Sequence, residues 1–289
     1  MPESVAILSD STADFAPGVA ERLGIHFAPI HVYVNEVDHL DGVTIQNEQL
    51  IKHLWDNKEV KTAPPYPGEY ATHLDKLLAS HGHVVSFHVS SKLSGCFSSA
   101  NSAVKFIRGD MSGRITLIDT RNLSIGQSLL VEQAVELLRA GVPAVKLPEA
   151  LEPYMIKSHL CFTVEKLTWL RRGGRISALA AFMGGMLNIK PVIVLSDGAM
   201  TPVEKVRGKQ ATLDKMAGMA ASLNQAYRGQ VRVSVAHVDA AEDAAYLRRQ
   251  LIDKLGLSEP SVPLVSIGAT IAAHAGPGCC AWALMAAKP

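Results

Sequence analysis

The chain has 289 residues, 48% apolar and 19% charged, which suits one large domain or two modest ones with a real core and is too apolar for a disordered segment. A net charge of +1 argues against a general nucleic-acid binder, whose phosphate-facing surface needs a strong basic excess. The four cysteines, Cys96, Cys161, Cys279 and Cys280, form no C-x-x-C pair, so they read as buried apolar thiols rather than a zinc site or a disulfide framework.

The N-terminus runs straight into an apolar strand over 5–8, with no basic segment and long apolar stretch ahead of it, so no signal peptide is expected. Together with the thiols this points to a reducing cytoplasm. Asp10-Ser11-Thr12 follows, then a helix over 16–23 that Gly24 stops. A second strand is expected over 30–34, then a helix over 45–55 capped by Thr44. A third strand over 84–89 leads through a serine-rich loop into a helix over 98–107. A fourth strand over 115–118 precedes a helix that Ser124 caps and that ends near Gly141. Strands alternating with helices imply a mostly parallel sheet flanked by helices.

Near Pro143 the rhythm changes. A helix over 144–157 leads into a strand over 160–164, and runs over 192–195 and 200–206 around Asp197-Gly198 read as a β-hairpin. Helices over 210–227 and 240–255 follow, with strands over 231–238 and 262–267. The expected fold class is therefore α/β with two domains, an α/β domain over 1–158 and an α+β domain with an antiparallel sheet over 159–289. The longest apolar stretch, 176–195, is interrupted by Gly184, Gly185, Asn188, Lys190 and Pro191, so no membrane insertion is expected.

Ligands of open parallel sheets bind at the carboxyl ends of the strands. Three hydroxyl-rich loops are expected at or near such ends: Ser9-Asp10-Ser11-Thr12-Ala13-Asp14, Thr62-Ala63-Pro64-Pro65-Tyr66-Pro67-Gly68 and Ser90-Ser91-Lys92-Leu93-Ser94-Gly95. Each reads as an ordinary cap or turn or as an anion site, since free helix N–H groups beside a serine hydroxyl suit an anion. Standard catalytic sets are missing. Around Ser94 the first glycine of G-x-S-x-G is absent, Val203 stands where a P-loop ending in Gly208-Lys209 needs glycine, and Gly276-Pro277-Gly278 lacks the third glycine of a dinucleotide fingerprint. No H-E-x-x-H occurs and no cofactor motif is present.

Between 171 and 209 seven bases, Arg171, Arg172, Arg175, Lys190, Lys205, Arg207 and Lys209, face two acids, Asp197 and Glu204, a local +5. This reads as a solvated basic face or as a patch for an anionic ligand or acidic partner, with Arg175 and Arg207 as the docking candidates. His274, among small residues ahead of Gly276-Pro277-Gly278, is either a buried structural histidine or a group brought close to a ligand.

Five pieces in this order resemble the DegV family of bacterial fatty-acid-binding proteins across the whole chain: Asp10-Ser11-Thr12-Ala13-Asp14, Ser90-Ser91-Lys92-Leu93-Ser94-Gly95, Gly173-Gly174-Arg175-Ile176, Leu187-Asn188-Ile189-Lys190-Pro191 and His274-Ala275-Gly276-Pro277-Gly278. The resemblance implies a long-chain fatty acid buried between the two domains. It implies Thr62 and Ser94 on the carboxylate and His274 as a further head-group contact, with Ser11 and Gly95 in the surrounding loops. It also implies that the protein is not an enzyme but delivers the acid to a fatty acid kinase, which makes an acyl phosphate for lipid synthesis. Departures from the family pattern are Cys96 after the Ser-Gly pair, Ala63 and Tyr66 in the second loop, Ala272 and Ala273 before His274, and Cys279-Cys280 after the glycines. The competing readings are a hydrolase or phosphotransferase using Ser94 with His274, and a lipid sensor without a kinase partner.

Overall fold

In the computed structural model, which describes residues 4–107, 113–177, 179 and 188–288, the chain opens with β1 (Val5–Asp10), α1 (Val19–Leu23), β2 (Ile25–Ala28), β3 (His31–Val34), β4 (Val37–Leu40) and α2 (Asn47–Trp55). It continues through β5 (Val60–Ala63), α3 (Pro67–Leu78), β6 (His83–His88), α4 (Cys96–Ala103), β7 (Ile115–Asp119), α5 (Ser124–Arg139) and α6 (Leu147–Ile156). The second half holds β8 (Ser158–Thr163), α7 (Thr168–Arg172), β9 (Ile189–Ser196), β10 (Ala199–Arg207), α8 (Lys209–Ala226), β11 (Val231–Val238), α9 (Ala241–Leu255), β12 (Leu264–Ser266), α10 (Ala269–Ala275) and β13 (Cys279–Ala286).

β2, β1, β6 and β7 form a four-stranded sheet, parallel throughout. Its central strands are apolar runs without alternation because helices cover both faces, and every residue of β6 is buried. A six-stranded sheet runs in the order β10-β9-β8-β13-β11-β12, antiparallel except for the parallel pair β11–β12. A third, antiparallel sheet orders β4-β3-β5.

Helix α5 lies between the two large sheets. Val131, Ala134 and Val135 pack with Ile7, Val85, Phe87 and Ile118 of the parallel sheet. Ile125, Leu129 and Leu130 pack with Leu160, Phe162 and Ala283 of the other. Burial on both sides explains why α5 reads as apolar nearly all round. The far face of the six-stranded sheet carries α8 and α9, against Cys280, Trp282 and Leu284 of β13. The alternation of a strand turns Cys279, Ala281 and Ala283 the other way, and these small side chains leave room on the inner face.

The α/β class stands, and the Asp197-Gly198 hairpin forms with φ of 46° and 75°, the positive pair of a type I′ turn. Several sequence expectations need correction. The strand over 30–34 does not join the parallel sheet but pairs antiparallel with β4 and β5. Its expected place belongs to β2, because Gly24 at φ 69° turns the chain straight back beside β1. Helix α1 begins only at Val19, after Pro17-Gly18. The Thr44 hydroxyl accepts the Leu40 N–H at 2.7 Å instead of capping α2. Ser124 does not cap α5; its hydroxyl donates to Asp14. The second sheet is mixed rather than purely antiparallel. Its central strand β13 carries no alternating pattern and went unread, as did α3, α7 and α10. Gly184, Gly185 and Leu187 lie outside the described residues.

Candidate functional site

Asp10 ends β1 and organises the carboxyl edge of the parallel sheet. Its Oδ2 accepts the Val89 N–H at 2.8 Å, while Oδ1 accepts the Thr12 N–H at 3.2 Å and the Gln127 side-chain N–H at 3.1 Å. Desolvation raises its pKa against the pull of these donors.

Asp14 and Asp41 reach across to the second half of the chain. Asp14 Oδ1 accepts the Gly268 N–H at 2.7 Å, and Asp41 accepts the N–H groups of Ala269 and Thr270 at 3.1 and 3.2 Å. The two carboxylates thereby satisfy the first free N–H groups of α10, the task of an N-cap side chain. Ser11 belongs to this clamp: its hydroxyl donates to Asp41 at 2.9 Å and accepts the Ile30 N–H at 3.1 Å. Desolvation lifts the Asp14 pKa to about 7.

So anchored, α10 delivers His274. Its Nε2 lies 2.8 Å from Thr62 Oγ1, while Nδ1 is buried against Gly173 with no hydrogen-bond partner among the described residues. Desolvation, then the charge of Arg175, lowers the His274 pKa to about 4, so the ring is neutral at physiological pH. A neutral imidazole has one N–H. On Nδ1 it would be a buried donor without a partner; on Nε2 it donates to Thr62 and leaves the Thr62 proton free to point away from the ring. The hydrogen-bond network therefore assigns the proton to Nε2.

Thr62, Ser94, His274 and Arg175 line one cavity that is partly open to solvent. Its other walls are chiefly apolar, among them Leu160, Phe162, Met200, Ile267 and Ala281. Arg175 bridges the halves: Nε donates to the Leu93 carbonyl at 3.2 Å and Nη1 to the Gly173 carbonyl at 2.6 Å. A concave apolar volume with a few convergent polar groups at one side is the usual form of a small-ligand site.

The structure thus brings together Thr62, Ser94, His274 and Arg175. It leaves Ser11 and Gly95 out of the wall: Ser11 serves the clamp, and Gly95 is the N-cap of α4. Arg207 is also outside, at the opposite end of β10 from the wall residue Met200, roughly 23 Å along the strand. Thr62 sits in β5 of the small antiparallel sheet, not at an edge of the parallel one. Nor is the +5 segment a bare patch. Lys190 pairs with Glu165, and Lys209 lies 3.7 Å from Glu165 and 3.5 Å from Asp243, acids that a local count leaves out.

The clamp by Asp14 and Asp41 was not read from the sequence, because nothing local signals a partner more than 200 residues away. The Ser94 hydroxyl lies 3.1 Å from Cys96 Sγ, and no carboxylate among the described residues orients His274 Nδ1. The nucleophile–base–orienter set of a serine hydrolase is therefore not assembled among them. Likewise no cluster of three or more His, Cys, Asp or Glu among the described residues could hold a metal ion. No described helix is long and apolar enough to cross a membrane.

A family model described as DegV matches residues 4–287. The chain belongs to the DegV family. It is 34% identical over 276 residues to a DegV domain-containing protein of Deinococcus radiodurans, covering 95% of this chain and 96% of that one. A DegV domain-containing protein of Streptomyces coelicolor is 31% identical over 280 residues, covering 96% and 97%. Among solved structures, a fatty-acid-binding DegV family protein of Thermus thermophilus superposes with a TM-score of 0.89 at 28% identity, covering 98% of this chain and 99% of that one. A stearic acid-binding protein of Eubacterium ventriosum gives 0.89 at 25% identity, covering 98% of each. The fatty-acid-binding DegV of Bacillus subtilis gives 0.84 at 26%, covering 98% and 99%.

Proposed function

We propose that this DegV protein binds one long-chain fatty acid and presents its carboxylate to a partner kinase in the cytoplasm, without catalysing a reaction of its own. The observation that carries this reading is the cavity, apolar along most of its wall, with the Thr62 and Ser94 hydroxyls, the His274 ring and the Arg175 guanidinium among its polar lining. The halves on either side of residue 158 close over the acyl chain, and the carboxylate meets Thr62 and Ser94. His274 acts from behind Thr62, and Arg175 supplies positive charge.

The energetics suit a carrier. Burying a methylene is worth roughly 0.8 kcal/mol, so about 14 of them supply on the order of 11 kcal/mol before ordering costs. A charge-assisted hydrogen bond adds about 1.5–3 kcal/mol. The tail provides affinity and the head group provides orientation, which is what a kinase acting on the carboxylate requires. Arg207, exposed at the far end of β10, is the proposed docking charge for that partner.

Native mass spectrometry of freshly purified protein tests the ligand class: a co-purified acyl mass of one per chain is expected. Protein that carries none and takes up no added palmitate overturns the reading. The kinase step is tested by supplying ATP and a fatty acid kinase to the loaded protein. Acyl phosphate should form only when both proteins are present, and charge reversal at Arg207 should slow it while palmitate affinity stays nearly unchanged.

A further inference from the structure

The turn that carries Ser94 is organised by Ser90, which is fully buried. Every backbone N–H from Ser90 to Ser94 has an acceptor. Ser90 donates to the Asn122 carbonyl at 2.8 Å and Ser91 to Asp119 Oδ1 at 3.2 Å. The other three end on Ser90 itself. Leu93 and Ser94 donate to its carbonyl at 2.9 and 3.1 Å, and Lys92 donates to its hydroxyl oxygen at 3.3 Å. The Ser94 N–H is thus spent inside the turn, so the hydroxyl is the donor this residue can offer a ligand.

The Ser90 hydroxyl proton goes to the other half of the chain. Ser90 Oγ donates to the Gly198 carbonyl at 2.7 Å, a buried contact with the tip of the β9–β10 hairpin. A carbonyl has no proton to give, so the direction of this bond is fixed. With its one proton committed to Gly198, the hydroxyl is held in one rotamer and keeps its lone pairs for the Lys92 N–H. Gly198 is required on two counts: its φ is 75°, and a Cβ there would stand 2.5 Å from Ser90 Oγ. Two residues beyond the tip, Met200 lines the same cavity as Leu93 and Ser94. Beside this seat Lys92 and Asp197 pair at 2.6 Å, but both are more than half exposed, so the ion pair adds little. The second half also reaches the turn at Leu93, whose carbonyl accepts Arg175 Nε.

We propose that Ser90 is a positioning residue that couples the hairpin to the head-group site: docking of Gly198 on the Ser90 hydroxyl fixes the turn that presents Ser94 to the fatty-acid carboxylate. A hairpin that is not docked leaves the Ser90 hydroxyl without its acceptor and the turn with one restraint fewer. The hairpin belongs to the half that closes over the acyl chain, so closure and preparation of the head-group site become one event. Such coupling is reciprocal: a ligand that holds Ser94 in place also favours the docked hairpin. The proposal rests on the carrier reading above and adds how its head-group site is assembled.

Palmitate displacement titrations on the full chain test this. Ser90→Ala removes the donor to Gly198 and the acceptor for Lys92, and should weaken palmitate by about 3- to 10-fold. Gly198→Ala disturbs the same contact from the hairpin side and should weaken palmitate by a similar factor. Asp197→Asn, which loses only exposed ion pairs, should change it by less than about twofold. In a Ser94→Ala background neither Ser90→Ala nor Gly198→Ala should add more than about a twofold loss, since the hydroxyl they position is gone. A merely structural Ser90 would cost the same in both backgrounds. Should Ser90→Ala fail to fold, Gly198→Ala carries the same comparison. Full additivity with Ser94→Ala, or a Ser90→Ala variant that binds palmitate as wild type does, overturns the positioning role. So does Asp197→Asn as weak as Gly198→Ala, which would make the contact one of charge. Wild-type protein that binds no palmitate overturns the carrier reading itself.

Discussion

Gly173 gives His274 its place: a Cβ on Gly173 would stand 2.0 Å from His274 Nδ1. The backbone there, φ −74° and ψ −3°, suits any residue, so the requirement for glycine is one of contact and not of conformation. Neighbouring Gly174 is the converse case, with φ 74° and nothing within 4 Å of its missing Cβ.

The pair separates two effects of the same substitution. Gly173→Ala should push the imidazole off Thr62, destabilise the protein by about 1–3 kcal/mol and weaken palmitate several-fold. Gly174→Ala should cost about 1 kcal/mol through backbone strain and leave palmitate affinity unchanged. Thermal melts with matched ligand titrations check both. Equal effects on affinity would disconnect Gly173 from the head-group site.

Ser94→Ala should cost about 1.5–3 kcal/mol of palmitate affinity, roughly 10- to 150-fold, with little change in melting temperature. A catalytic serine would instead show turnover that vanishes in the variant, with losses on the order of a million-fold, and a covalent adduct with a phosphonate. Incubation of wild-type protein with a serine-directed phosphonate, read by intact mass, should give no adduct.

Asp14 makes stability fall as pH rises. Its folded pKa is lifted from 3.8 to about 7, so between those values the folded state binds more protons than the unfolded chain. Stability is therefore lost as pH climbs through that window and levels off above about 7. Asp14→Asn keeps an acceptor for the Gly268 N–H but does not titrate. The melting temperature of wild type relative to Asp14→Asn should drop between pH 5 and pH 8; a constant difference would mean that Asp14 is already ionised at pH 5.

Ala281 lines the cavity from the inner face of β13, paired in register with Phe162. Ala281→Leu should fill space meant for the acyl chain and displace one to three methylenes, at about 0.8 kcal/mol each for palmitate, while decanoate is little affected. A chain-length series of dissociation constants reads this directly. A larger loss for decanoate than for palmitate would put Ala281 beside the head group.

Much of the fold was legible because it is local. Three of the four parallel strands, β1, β6 and β7, show as largely apolar runs, the Asp197-Gly198 turn announces its hairpin, and the long amphipathic helices α8 and α9 show their period. Thr62, Ser94 and His274 were singled out in loops and motifs with no sign that they meet; residues 62 and 274 are brought to 2.8 Å only because α10 is held by Asp14 and Asp41 from the other half. Strand β13 went unread because Cys279 to Ala286 is buried on both faces and so has no alternation to detect. By itself the sequence determined the α/β layers, the hairpin, the hydroxyl-rich loops and the motif order that marks the family, since these depend on residues near one another in the chain. The tertiary structure alone decided which charges are paired, which glycines make room for a ring, and that Thr62 meets His274, since hydrogen bonds and contacts at separations of tens to hundreds of residues leave no periodic trace in the chain.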